Sequence, residues 1–205
     1  MSKKYLYLII IIVLIFTAIS AFYLNKGTSI KPNLINPDNL ADIQKGNMPW
    51  NNGLKGLDQR LHDIGMPKLA VEGNALHIHQ HLDIFVNGTQ AIIPENIGKN
   101  DVQGFIAPVH THDQTGIIHI ESPKVQKFYL GQFFDIWGVK FTQNCLGAYC
   151  NKGDQILKLF VNGNLYQGDP RMLELQQHQE IVLTYGTISQ LPFPMISSYN
   201  FPPQD

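Results

Sequence analysis

His77-Ile78-His79-Gln80-His81-Leu82-Asp83-Ile84-Phe85-Val86, followed by the turn pair Asn87-Gly88, decides how the rest of the chain is read. Side chains of a β-strand alternate between its two faces. His77, His79, His81 and Asp83 therefore share one face, while Ile78, Leu82, Ile84 and Val86 line the other. The result is a polar face on an otherwise apolar strand. Asn-Gly is the strongest short signal for a two-residue hairpin turn, because both central positions need positive φ. Residues Gln90 to Pro94 are thus expected to return antiparallel.

A second histidine block follows at Val109-His110-Thr111-His112-Asp113-Gln114-Thr115-Gly116-Ile117-Ile118-His119-Ile120-Glu121. It reads as a hairpin with its turn at Asp113-Gln114-Thr115-Gly116. That register sets His110 opposite His119 and His112 opposite Ile117, and places His110, His112, His119 and Glu121 on one face. Opposed residues have Cβ atoms roughly 5 Å apart, close enough for two imidazoles to converge on one ion at about 2 Å from each nitrogen. A lone strand histidine is ordinarily a polar surface residue, but six of the eight histidines fall in these two blocks with shared parity. The expectation is a metal site drawn from His110, His112, His119, His77, His79 and His81. The alternative is a hydrogen-bonded histidine cluster, or a surface that titrates near pH 6.5.

Neutral imidazoles suit zinc, copper(II), nickel or iron(II), and zinc or copper is expected here. Methionines that would mark a copper(I) site are missing from the window. By parity Asp83 and Glu121 are candidates for carboxylates that orient the rings or ligate, whereas Asp113 is expected to cap its turn. The hairpin block can form a three-ligand site by itself. The HxHxH strand joins it only if the fold brings both blocks to one side of a sheet.

Outward from these blocks, Tyr5 to Leu24 is a run of 20 uncharged, mostly apolar residues behind Lys3 and Lys4. At 1.5 Å per residue it spans about 30 Å, the thickness of a bilayer's hydrocarbon core. The positive-inside rule keeps the lysines in the cytoplasm and puts the remainder outside. The reading is a membrane anchor over 1–24; its rival is a signal peptide cut near Ala21. Residues 25–50, rich in Asn, Pro, Lys and Gly, read as an extended linker. A histidine-rich α+β domain is expected over 51–191, and a proline-broken tail over 192–205, along the surface or mobile.

Within the domain, Leu54, Leu57, Leu61 and Ile64 recur at helical spacing and stop at Gly65 and Pro67, with His62 off the apolar stripe. A strand is expected at Val102 to Val109, a short strand at Phe128 to Leu130, and a glycine-bounded helix over Gly131 to Gly138. Ile156 to Val161, Asn162-Gly163 and Asn164 to Tyr166 make a second hairpin. Glu180 to Gly186 reads as a final strand, after a turn that leaves His178 exposed. Strands dominate, so the fold class is α+β with a mostly antiparallel sheet and short helices. Cys145 and Cys150, which enclose four residues in an exported chain, are expected to form a local disulfide.

With 44% apolar residues, 15% charged residues and a net charge of -1, the chain has material for a core. It shows no basic run that would mark a nucleic-acid partner; the expected partners are a metal ion and, through the N-terminal segment, a membrane. No nucleophile elbow, P-loop or dinucleotide fingerprint is present. Two classes of function remain: a metal-binding carrier or sensor, and an enzyme in which a tri-histidine ion activates water. A non-metal interaction domain is the third possibility.

Taken together, HIHQHLDIFVNG (His77 to Gly88), HTHDQTGIIHIESP (His110 to Pro123) and LGQFFDIWG (Leu130 to Gly138) resemble the motifs of a family of uncharacterised bacterial proteins, secreted or membrane-anchored. The resemblance spans residues 54 to 186 and implies one domain carrying both histidine blocks, without implying an activity. The HxH spacing is similar to that of α-type carbonic anhydrases and cupins, though the surrounding residues do not follow either pattern. The last hairpin and strand resemble those of β-grasp domains.

Overall fold

The computed structural model describes residues 34–203, so the apolar run Tyr5 to Leu24 lies outside the described residues. Among those described, no helix is long and apolar enough to cross a membrane.

The long strand β1 (Leu76–Val86) is the axis of the molecule. Ile78, Ile84, Phe85 and Val86 favour an extended strand, and Asn87 (φ 51°) and Gly88 (φ 83°) end it in the expected turn. Across that turn β2 (Thr89–Gln90) pairs back on Val86 and Phe85, so the antiparallel return expected over Gln90 to Pro94 starts one residue earlier and ends as a strand at Gln90. A small hairpin of β3 (Lys99–Asn100) and β4 (Phe105–Ile106) follows, and then β5 (Val109–His110) and β6 (Ile117–Ser122). The strand expected over Val102 to Val109 is therefore broken. Val102 is 92% exposed in a turn that Gly104 completes at φ 67°, so its apolar run serves two short strands.

Helix α1 (Leu57–Asp63) turns its Leu57 and Leu61 inward, and its His62 is exposed as expected. Helix α2 (Leu130–Trp137) starts where the Tyr129 N–H donates to Gln132 Oε1 (2.9 Å) and ends at Gly138 in the left-handed region. Tyr129, expected within a strand, makes only a single bridge to Glu174 before this helix begins. Beyond it come β7 (Cys145–Leu146) and β8 (Tyr149–Cys150), closed by the Cys145–Cys150 disulfide, then β9 (Ile156–Val161), β10 (Asn164–Leu165) and β11 (Glu180–Gly186).

The main sheet runs β10-β9-β11-β1-β6-β5, with β2 added to the C-terminal end of β1. All its pairings are antiparallel except one: β1 and β11 run parallel, with His81 beside Glu180 and Val86 beside Tyr185. Within the sheet, the order β10-β9-β11-β1-β2 sets a parallel central pair between two hairpins, with α2 between those hairpins in the chain. Architecture alone confers no function. The histidine strands β6 and β5 extend this sheet along the N-terminal half of β1, where β6 pairs with Leu76 to His81.

One face of the sheet makes the core. Ile84, Val86, Ile118, Ile120, Ile181 and Leu183 are buried in one cluster with Phe133, Phe134, Ile136 and Trp137 of α2. Each such side chain contributes about 1.5–3 kcal/mol on leaving water. Two arginines hold the helix layer. Arg60, fully buried in α1, donates to the carbonyls of Asp135 (3.0 Å), Ile136 (3.0 Å), Ala41 (3.0 Å), Lys55 (2.7 Å) and Gly53. It thereby satisfies carbonyls at the end of α2 that no helical N–H can reach; burial lowers its pKa to about 10. Arg171 grips the buried Asp135 with both terminal nitrogens, at 3.1 and 2.9 Å.

Residues 34–50 do not behave as an extended linker. Leu40 and Trp50 are buried, the Gln44 N–H donates to Gly138 O at 2.7 Å, and Arg171 reaches the Ile35 carbonyl at 3.2 Å. Isolated apolar anchors without periodicity were enough to dock this stretch. The tail also packs: the Tyr199 ring stacks on His81 at 3.8 Å and 9°, and Phe201 lies 4.6 Å from His178.

Candidate metal centre

The second face of the sheet carries the histidines. Direct register partners place His110 of β5, His119 of β6 and His79 of β1 in one row across three strands. The adjacent row sets His77 against Glu121. The odd positions of β1 face away from the core because the even ones, from Ile78 to Val86, are drawn into it. The two blocks thus meet on one side.

His110 is fully buried, and its Nδ1–H donates to the Ala107 carbonyl at 2.9 Å. That bond fixes the tautomer, leaving Nε2 with a bare lone pair. Burial, followed by the neighbouring His112, pushes the ring's pKa down to about 3, so His110 is neutral. Its Nε2 lies 3.1 Å from His112 Nε2. Two imidazoles on one tetrahedral ion, each about 2.05 Å away, have nitrogens about 3.3 Å apart. The observed spacing is close to that of a coordination edge.

His119 completes the set, its ring 4.4 Å from that of His112 and parallel to that of His110. Its buried Nδ1 has no hydrogen bond and faces Glu121 Oε1 at 3.5 Å. A buried imidazole nitrogen without a hydrogen bond costs free energy, and a cation there would satisfy it. Glu121 is buried among four imidazoles: Oε1 is 3.3 Å from His77 Nε2 and 4.0 Å from His112 Nε2, and Oε2 is 4.0 Å from His110 Nε2. Burial would raise its pKa, but His112, His119, His110 and His77 carry it well below the usual carboxylate range. One donor atom from each of His110, His112, His119 and Glu121 lies within 4.8 Å of the others, and the same holds for His77, His79 and Glu121.

Glu121, expected to orient the rings or to ligate, thus brings a carboxylate oxygen into the same donor group as His110, His112 and His119. His112 sits beyond the end of β5, so its expected pairing with Ile117 is not formed. Thr111 instead ties the chain to Pro94 and Ile97, and Asp113 caps the turn by accepting from the Thr115 N–H at 2.8 Å. Glu72, which lacks any strand pattern to mark it, approaches His112 Nε2 to 3.6 Å at the solvent edge.

His81 stands apart from these groups. Its Nδ1 faces Glu180 Oε2 at 2.8 Å and its Nε2 faces the Thr115 carbonyl at 2.9 Å. Burial alone would lower its pKa; the bond to Glu180 and the charges of Glu180 and Asp83 prevail and raise it. With both nitrogens engaged, the ring fits an imidazolium in a buried polar group better than a ligand. Asp83 belongs to that group, accepting from Gln90 Nε2 at 2.7 Å. Tyr199 covers His81, so Tyr199→Ala is expected to cost about 1 kcal/mol of stability through the lost stacking. The same variant should leave metal content unchanged, and calorimetry with elemental analysis checks both.

Fold and site together define an α+β domain with a histidine-carboxylate cluster on its non-core face. No protein-family model matches the chain, and neither curated proteins nor solved structures give a match.

Proposed function

We propose that this chain is an extracytoplasmic metal-binding protein, held to the membrane by its N-terminal segment, whose ion of zinc or copper(II) sits between His110, His112, His119 and Glu121. The observation that carries this reading is the pre-set His110 ring, its Nδ1 locked by the Ala107 carbonyl and its Nε2 3.1 Å from His112 Nε2. Three nitrogens and one oxygen suit zinc and copper(II), and both cysteines are committed to their disulfide. That disulfide and the apolar N-terminal run both favour an oxidising compartment. Four protein donors fill a tetrahedron, which favours holding an ion over activating water.

The test is elemental analysis of the full-length chain after a chelator wash and reloading. About one equivalent of zinc or copper should remain tightly bound. A chain that retains neither metal after loading overturns the proposal.

A further inference from the structure

The second pair of strand imidazoles is not used by that ion. His77 Nε2 and His79 Nε2 are 3.1 Å apart, the same separation as the His110–His112 pair. His77 Nε2 is also 3.3 Å from Glu121 Oε1. Donors to a single ion stand no more than about 4.2 Å apart, since each lies about 2.1 Å from it. Apart from His81, which meets Asp83 and Glu180 in a third group, these histidines nevertheless divide into two convergent groups, and Glu121 belongs to both.

We propose that His77, His79 and Glu121 hold a second divalent transition-metal ion, bridged to the first by the Glu121 carboxylate. This rests on the reading of the first site and extends it to a dinuclear centre. A carboxylate can ligate through both oxygens, and those of Glu121 lie between the two groups: Oε1 is nearest His77 at 3.3 Å but also faces His119 at 3.5 Å, while Oε2 faces His110 at 4.0 Å. His79 and His119, one from each group, are direct register partners with rings 4.5 Å apart. Two ions at the usual spacing of about 3.5–4 Å fit this arrangement.

The two positions are unequal. The first has four protein donors, and the second has three, with the His77 side chain 52% exposed. The second ion therefore keeps a position open to solvent, where water or a small anionic ligand can bind and exchange. Repulsion between two dications on one shared carboxylate further weakens the second. Glu72, beside His112 at the rim, offsets part of that repulsion.

The experiment is a copper(II) titration of the full-length chain, read by chelator competition and by electron paramagnetic resonance. About two equivalents should bind, the second at least about tenfold more weakly. As the second fills, the signal of the first should broaden and lose intensity through spin coupling. His77→Ala, at a half-exposed residue whose loss leaves the core intact, should weaken only the second step. The double change His77→Gln with His79→Gln should abolish that step and keep the first. Saturation of the unaltered chain at one equivalent overturns the dinuclear proposal and leaves the single-ion reading standing. Two full, independent copper signals also overturn it, and binding of no metal at all removes both.

Discussion

Changing His110 and His112 together to alanine is expected to abolish tight metal retention by the full-length chain, lowering affinity by well over about a hundred-fold. Loss of a residue that merely orients a ligand already costs 10–100-fold. Here two nitrogens that form one coordination edge are removed, and one of them belongs to the ring held by Ala107. The consequence for stability is linked. An ion present at a hundred times its dissociation constant stabilises the folded state by about 2.7 kcal/mol, so added zinc should raise the melting temperature of the original chain and not of the variant. His110 is fully buried, and its loss could unsettle the sheet. His112→Ala alone separates the two effects: its side chain is 34% exposed, so the fold should stand while affinity still falls. His178→Ala, at an exposed turn, is the control. Unchanged metal content in His112→Ala would overturn the assignment of that ligand.

The second large effect concerns the helix layer. Asp135→Ala is expected to destabilise the domain by about 3–5 kcal/mol, because it leaves the buried Arg171 guanidinium without its counter-charge. In a domain of this size that lowers the melting temperature by on the order of 10 °C. The Asp135 carboxyl is itself strained electrostatically: burial raises its pKa, and Arg171 only partly compensates. An isolated buried charge is costlier than none, so Asp135→Leu combined with Arg171→Met should lose less than Asp135→Ala alone. Calorimetry of the two variants decides it. A single variant within about 1 kcal/mol of the original chain would mean that water reaches Arg171 and the pair is not truly buried.

The parts of the molecule legible in the sequence were those set by short-range rules. The bounds of β1 and β11, both Asn-Gly hairpins, the helix near Leu57 and the His110–His119 register depend on periodicity and turn chemistry within a few residues. The β1–β11 pairing is parallel and joins distant segments, so no turn announces it. With it were hidden Glu180 and the separation of His81 from the other histidines. Glu72 reaches the cluster from an irregular segment, where no period predicts a direction. The docking of residues 34–50 was hidden for another reason: a few anchors such as Leu40 and Trp50 carry no pattern until a surface exists to receive them.

The placement of β1 between an early partner and a late one has a consequence for the order in which the histidine face is assembled. His110, His112 and His119 lie close in the chain and are joined through a hairpin, whereas His81 and Glu180 are 99 residues apart. Local contacts close quickly, while distant ones must first overcome the entropy of a long loop. During synthesis the tri-histidine hairpin is complete well before β11 emerges. The same sheet face thus has a part that, under the proposed function, meets its ion early, and a part that closes last, sealed by Glu180 and finally by Tyr199 from the tail.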